Sequence, residues 1–346
     1  MTSVLPLDEQ SEVPSGFSIV GHVAHLNLRN QYLPYKTLIA EVLRDKNPQV
    51  RTVINKLDDV GSSNIYRTFR YEVLAGEDDL NVEVKEEECL FRFDYAKVYW
   101  NPRLHAEHKR VVGLFGEGEA VCDVMAGVGP FAVPAGRKRV FVRANDLNPD
   151  SYAALVDAVG RNKVGEFTKP YNTDGRKFIV DAARELYHAP EQRTVEILGK
   201  PPSRSASDGG GGPRKRQVIK TLTEPRLFSH YVMNLPASAL SFLPAFVGLY
   251  TAASISNSPD ISTPMIHVYC FSTKSDDNIE EGRKICEEIS RLIGWVMRPA
   301  TANRSVENLD EGEVDVTDVR DVAPNKRMFC ASFRLPGEVA WGTPLS

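Results

Sequence analysis

The chain has 346 residues, 42 % hydrophobic and 25 % charged, an ordinary globular composition that excludes a disordered, collagen-like or fibrous protein. Lys and Arg number 42 against 46 Asp and Glu, a formal charge of −4 that excludes a protein basic all over and argues at first against a nucleic-acid partner. This length is enough for two domains, or one large domain with an appendage, to bury a core without staples.

The first 19 residues carry Asp8, Glu9 and Glu12 and no basic residue, so neither a secretory nor a transit leader is expected there. From Val20 to Arg70, eight basic residues face four acidic ones, a local +4. The balance reverses to −7 between Tyr71 and Tyr95 and to −5 between Ala300 and Asp321, so acidic segments mask a basic N-terminal region. The cysteines, Cys89, Cys122, Cys270, Cys286 and Cys330, are odd in number and never form C-x-x-C. They encode neither a disulfide framework nor a zinc knuckle, and point to a reducing compartment.

After about residue 118, hydrophobic runs alternate with helical stretches, which predicts an α/β unit with a mainly parallel sheet. Strands are predicted over Ala120–Met125 and Val140–Ala144. A helix should start at Asn148-Pro149-Asp150, with Asn148 as cap, Pro149 at the first helical position and Asp150 at the positive end of the dipole. A third short strand precedes Asp174, and a helix follows over Arg176–Tyr187. The stretch 199–213 holds five Gly, three Pro and three Ser in 15 residues, an insertion, extended here to 216, expected to be flexible. The fold then resumes with a strand over Ser229–Asn234, a helix over Ala237–Tyr250 and a strand over Met265–Ser272. The uncharged run Leu227–Pro259 has the length of a membrane span, but His230, Asn234, Pro236 and Pro244 favour a buried strand and helix. A further helix places Ile279, Gly282, Cys286, Ile289 and Ile293 on one face. Met328–Leu335 alternates as a closing, antiparallel strand.

Chemistry concentrates at the predicted strand ends. Asp123-Val-Met-Ala-Gly127-Val-Gly129-Pro130-Phe131 leaves the first strand through two glycines, which let backbone approach a ligand where open α/β sheets bind cofactors. The third glycine of a dinucleotide loop is replaced by Ala132, and an acid opens the motif, so a pyrophosphate would meet Asp123 instead of bare amides. S-adenosylmethionine, cationic and without phosphate, fits better. Asp146 ends the second strand, where a carboxylate accepts ribose hydroxyls, and Asp174 ends the third, where it can accept from an adenine amine. Each acid alone could equally be a helix cap. Asn234-Leu-Pro236 offers an acceptor and donors on a rigid backbone, suited to a nucleobase edge or to a simple strand-ending turn.

These motifs, with Phe93-Asp94-Tyr-Ala-Lys-Val-Tyr99-Trp100-Asn-Pro-Arg103-Leu-His-Ala-Glu107-His, Asn145-Asp146-Leu-Asn148-Pro149, Val20 to Leu28 and Asn55-Lys56-Leu57, resemble the archaeal and eukaryotic tRNA (guanine-37-N1)-methyltransferases from about Pro14 to Leu335. The resemblance implies a class I, Rossmann-like methyltransferase of α/β class with a mostly parallel sheet and an antiparallel C-terminal strand. A smaller N-terminal α+β RNA-binding domain would precede it. On that basis residues 1–13 are a flexible lead, 14–112 the RNA-binding domain, 113–340 the methyltransferase domain and 341–346 a tail. It implies S-adenosylmethionine as donor, held by Asp123, Gly127, Gly129, Phe131, Asp146, Leu147, Asp174, Gly175 and Asn234. The partner is tRNA with guanosine 37 in the anticodon loop, and no membrane.

Guanine N1 carries a proton, so the site must remove it and stabilise charge on O6. The resemblance makes Glu107, in the Arg103-Leu-His-Ala-Glu107 element, the expected base and Arg67 the residue facing O6; taken alone, the first reads as a surface helix residue and the second as an ordinary phosphate or salt-bridge arginine. Asn234 and Pro236 would position the base, with Tyr99 and Arg103 contacting substrate. The target base must leave the anticodon stack to react. A monomer is expected, in the cytoplasm, with the mitochondrial matrix and nucleus also allowed by the resemblance. Two alternatives share the fold: an aminocarboxypropyl transferase of the wyosine pathway, and a catalytically silent tRNA-binding homologue.

Overall fold

The computed structural model describes residues 16–57, 65–66, 68–199, 216–258, 261–301 and 306–343. The chain separates into two compact units, one of Met1–Leu114, Asp123–Arg137 and Ala144–Gly175, the other of Phe115–Cys122, Lys138–Arg143 and Arg176–Ser346.

The first unit opens with a sheet of order β1-β2-β3-β4, formed by Phe17–Val20, Val23–Leu26, Thr52–Lys56 and Tyr71–Gly76. β2 and β3 pair in parallel, which requires a crossover, and helix α1 (Lys36–Lys46) supplies it. Ile39, Ala40 and Leu43 of α1 bury against Leu26, Tyr32 and Val53. A hairpin of β5 (Asn81–Glu86) and β6 (Cys89–Asp94) follows. Asn101 then caps a 3-10 turn, Pro102–Leu104, accepting from the Arg103 amide at 3.1 Å, and α2 (His105–Gly113) continues from it.

The α/β alternation expected after residue 118 is present: β7 (Ala120–Asp123), α3 (Ala132–Arg137), β8 (Phe141–Asn145), α4 (Pro149–Arg161), β9 (Thr168–Tyr171) and α5 (Gly175–Tyr187). β7 and β8 are buried at every position, as near-continuous apolar runs in a covered sheet should be. Asn148 caps α4 as predicted, its Oδ1 accepting from the Asp150 amide at 3.0 Å.

The second unit adds hairpin β10 (Thr194–Leu198) and β11 (Val218–Thr223), then β12 (His230–Met233), helix α6 (Leu249–Ala252), β13 (Met265–Thr273), helix α7 (Ile279–Ile293), β14 (Arg298–Pro299), β15 (Glu313–Ala323), β16 (Lys326–Arg334) and α8 (Gly337–Ala340). Among the described residues the large sheet runs β14-β15-β16-β13-β12-β7-β8-β9, with β12 and β13 parallel and β16 antiparallel to β13.

Two expectations need correction, and one strand stands where none is predicted. The helix predicted over Ala237–Tyr250 is a 3-10 helix, Ala239–Phe246, followed by short α6, because Pro244 has no amide to donate and Gly248 turns left-handed at φ 68°. Ile279 is 72 % exposed at the start of α7, and Ile285 takes its place on the buried face. The acidic segment before Asp321 forms β15, a strand its composition does not announce, because pairing with β16 overrides weak propensity. Most of the Gly/Pro/Ser insertion lies outside the described residues. Gly199 is described and donates to the Gln217 carbonyl at 2.9 Å, extending the β10–β11 hairpin. No described helix is long and apolar enough to cross a membrane.

Candidate active site

Asp123 ends β7 with no exposed surface, and neither carboxylate oxygen makes a well-formed hydrogen bond among the described residues, the Met125 amide being only a weak neighbour. Burial pushes its pKa well above the ordinary carboxylate value, the nearby Asp146 charge pushes the same way, and the Met125 amide opposes them. A buried acid without a partner is costly. Its chemistry suits a cationic ligand at this strand end, as the ammonium of S-adenosylmethionine would be.

The two glycines do different work. At Gly127 (φ +56°) an added Cβ would meet nothing within 4 Å, so the backbone borders open space. At Gly129 (φ +98°) a Cβ would lie 2.6 Å from Leu155 Cδ1 and 2.9 Å from Val133 Cγ2, so this glycine lets the loop pack on α4. Phe131 is buried, edge-on to the His108 ring at 4.8 Å.

Asp146 follows β8 and is half-buried. Its Oδ2 accepts from the Gly127 amide at 2.8 Å and its Oδ1 from the Asn148 amide at 2.9 Å. These two bonds fix the orientation of the carboxylate at the end of β8. Asn145, absent from the sequence-based site, ties the strand ends together: its Nδ2 donates to the carbonyls of Val124 at 3.1 Å and Thr173 at 3.0 Å, and its Oδ1 accepts from the Thr173 amide at 2.9 Å. Its position next to Asp146 is the only sequence signal for it. Asn172 donates to the carbonyls of Asp146 and Leu147. Leu147 is 45 % exposed, Asp174 is exposed just ahead of α5, and Gly175 is buried. The unit thus brings Asp123, Gly127, Gly129, Asp146, Leu147 and Asp174 together around three strand ends. A nucleoside with a cationic tail fits this set.

Glu107 lies in the first turn of α2 and is buried at 7 % exposure. Arg110 grips both of its oxygens, Nε to Oε2 and Nη2 to Oε1, each at 2.7 Å. Next to it, His108 Nδ1 meets Glu86 Oε1 at 2.6 Å in a fully buried pair. Neither partner is apparent in the sequence, since they depend on helical spacing and on the β5–β6 hairpin. Tyr99 is half-buried and accepts from Asn101 Nδ2 at 3.4 Å, and Arg103 is exposed. Arg67 lies outside the described residues. Asn234 and Pro236 belong to the second unit, at the end of β12, where the Leu235 carbonyl accepts from the Ser238 and Ala239 amides and starts the 3-10 helix.

Residues 82–196 match the family model of the TRM5/TYW2 methyltransferase domain, and residues 1–79 that of the TYW2 N-terminal domain. The tRNA (guanine(37)-N(1))-methyltransferase of Fusarium vanettenii is 53% identical over 341 residues, covering 98% of this chain and 71% of that protein. The chain belongs to the tRNA (guanine(37)-N(1))-methyltransferase family. The relative of the same name in Schizosaccharomyces pombe is 44% identical over 347 residues, 100% of this chain and 74% of its own. Among solved structures, Trm5b from Pyrococcus abyssi superimposes with a TM-score of 0.63 at 24% identity, over 95% of this chain and 78% of its own. The complex of aTrm5 with tRNALeu gives 0.60 at 21% identity, over 95% and 74%. At that identity the two structures speak for the fold of this methyltransferase.

Proposed function

We propose that the chain transfers the methyl group of S-adenosylmethionine to N1 of guanosine 37 in tRNA. The observation that carries this reading is identity of about half with tRNA (guanine(37)-N(1))-methyltransferases along nearly the whole chain, site motifs included. The strand-end constellation supports the donor: Asp123 would favour its ammonium, the open backbone at Gly127 would border the tail, Asp146 would receive the ribose hydroxyls, and Leu147 and Asp174 would flank the adenine. When bound, S-adenosylmethionine supplies an electrophilic methyl group on a sulfonium.

The remaining work falls to side chains. Glu107 takes the N1 proton, so that the nitrogen lone pair forms the new N–CH3 bond as the S–CH3 bond breaks and the sulfonium becomes a thioether. The Arg110 guanidinium holds the carboxylate in one orientation. Arg67, assigned from the family resemblance alone, would offset the charge that develops on O6, a contribution of the oxyanion-stabilising kind. Asn234 and Pro236 hold the base edge, and Tyr99 and Arg103 contact the flipped nucleotide. The basic N-terminal segment grips the tRNA backbone.

The match of residues 1–79 to the TYW2 N-terminal domain favours one second reading, transfer of an aminocarboxypropyl group from the same donor. Mass analysis of tRNA after reaction separates the two: a gain of one methyl supports our reading, and an aminocarboxypropyl adduct would refute it. The reading further holds that the chain acts as a monomer, which sedimentation at the mass of one chain would support. It works in the cytoplasm, with the mitochondrial matrix and nucleus as further sites to be tested by imaging the tagged protein.

A further inference from the structure

The acidic stretch between Tyr71 and Tyr95 takes no part in the chemistry above, yet its three consecutive glutamates touch the elements that carry it. β5 ends at Glu86 and β6 starts at Cys89, so the hairpin turns on Glu87 and Glu88. Both are left-handed, at φ 44° and 59°. A two-residue turn of that kind favours Asn-Gly, and an ordinary side chain there is strained. What the turn gains from two glutamates is what their side chains reach.

Glu87 Oε1 accepts from His105 Nε2 at 2.6 Å and lies 3.6 Å from Lys109 Nζ. Glu86 Oε1 accepts from His108 Nδ1 at 2.6 Å, and both of these side chains are buried. His105, His108 and Lys109 stand at i, i+3 and i+4 and share one face of α2. At about 100° per residue, Glu107 projects from nearly the opposite side. The grip on the first face therefore fixes the rotation of α2 about its axis, and with it the direction of the Glu107 carboxylate. The grip is itself anchored. Arg137, the last residue of α3, donates from Nη1 to the Glu88 carbonyl at 3.0 Å and from Nη2 to Glu88 Oε2 at 3.3 Å. The His108 ring meets Phe131, just ahead of α3, edge-on at 4.8 Å.

We propose that Glu86, Glu87 and Glu88 are positioning residues that aim the Glu107 carboxylate. The inference rests on the role given to Glu107 under the proposed function and adds the device that sets its direction. Only Glu86 is buried together with its partner; the more exposed pairs of Glu87 and Glu88 add little stability. Their contribution is geometric. A small misplacement of a catalytic group is enough to slow a reaction many-fold.

The test follows single-turnover methylation of unmodified tRNA carrying guanosine 37 at saturating donor, with donor affinity by calorimetry and stability by thermal melts. Two changes are each made in the wild type and in Glu107→Ala. Glu86→Leu with His108→Phe exchanges the buried pair for apolar groups that keep a ring against Phe131, a replacement that buried pairs commonly tolerate. It should slow methylation about tenfold with donor affinity retained. Glu87→Asn with Glu88→Gly gives the turn its preferred residues, so it should melt at or above the wild-type temperature and still slow methylation about threefold. In Glu107→Ala neither change should cost anything further, because both act through the same carboxylate. A wild-type rate in either variant, or an equal loss with and without Glu107, would overturn the positioning role. If the first exchange loses its cooperative melt, the turn variant decides alone. Wild-type protein that fails to methylate would instead refute the proposed function, and an unaffected Glu107→Ala would refute the base itself.

Discussion

Glu107 and Asp123 are both buried carboxylates with contrasting surroundings, and the proposed function gives them different tasks. Glu107 is held by Arg110 in a two-point ion pair, which suits a base that must meet one proton in one direction. Glu107→Ala is expected to slow single-turnover methylation about 100-fold or more, as loss of a positioned base does, with donor affinity retained in calorimetry; an unchanged rate would remove it from the mechanism. Asp123 makes no well-formed hydrogen bond among the described residues, and its raised pKa makes it a liability in the free protein. A carboxyl with a folded pKa above its unfolded value gives its full stability below the unfolded value and loses it as pH rises toward the folded one. Asp123→Asn should therefore raise the melting temperature of the free protein near neutral pH while weakening donor binding about tenfold or more. Thermal melts and calorimetry read the two effects separately, and wild-type donor affinity in the Asn variant would contradict its role.

The loop from β7 to α3 turns on glycines that the structure distinguishes. Gly129→Ala drives a methyl group into Leu155 and Val133 from a left-handed backbone, so unfolding titrations should register a loss of about 2 kcal/mol or more. Gly127→Ala meets open space, so the strain of its backbone, about 1–2 kcal/mol, is the whole stability cost, and the larger effect should be weaker donor binding. Equal stability losses in the two variants would be inconsistent with this division. The loop, the Asn148 cap and the alternation of β7 to α5 were legible because each depends on short-range chemistry: strand-end acids, glycine pairs and a capping side chain. The bonds Asn145 makes and the grip of Arg110 on Glu107 were not legible, because the Asn145 partners come from neighbouring strand ends and the Arg110 pair from a helical turn that polar periodicity does not mark. β15 was missed for a similar reason, since it is a strand by virtue of β16. Pro244 is the sequence mark of the 3-10 geometry of Ala239–Phe246, which the continuous apolar run disguises as an α-helix.

Across the molecule, a net charge of −4 coexists with a +4 stretch between Val20 and Arg70, so total charge excluded too much and segment charge carried the information. The account expects tRNA affinity to be localised and to fall steeply with salt, as counterion release requires. The central claim is the position of the methyl group. Purified protein, labelled S-adenosylmethionine and an unmodified tRNA with guanosine at position 37 should yield one methyl per tRNA, found as 1-methylguanosine by nucleoside mass analysis, whereas the same tRNA with adenosine there should yield none. Equal methylation of both tRNAs, or methyl recovered on any other nucleoside, would contradict it.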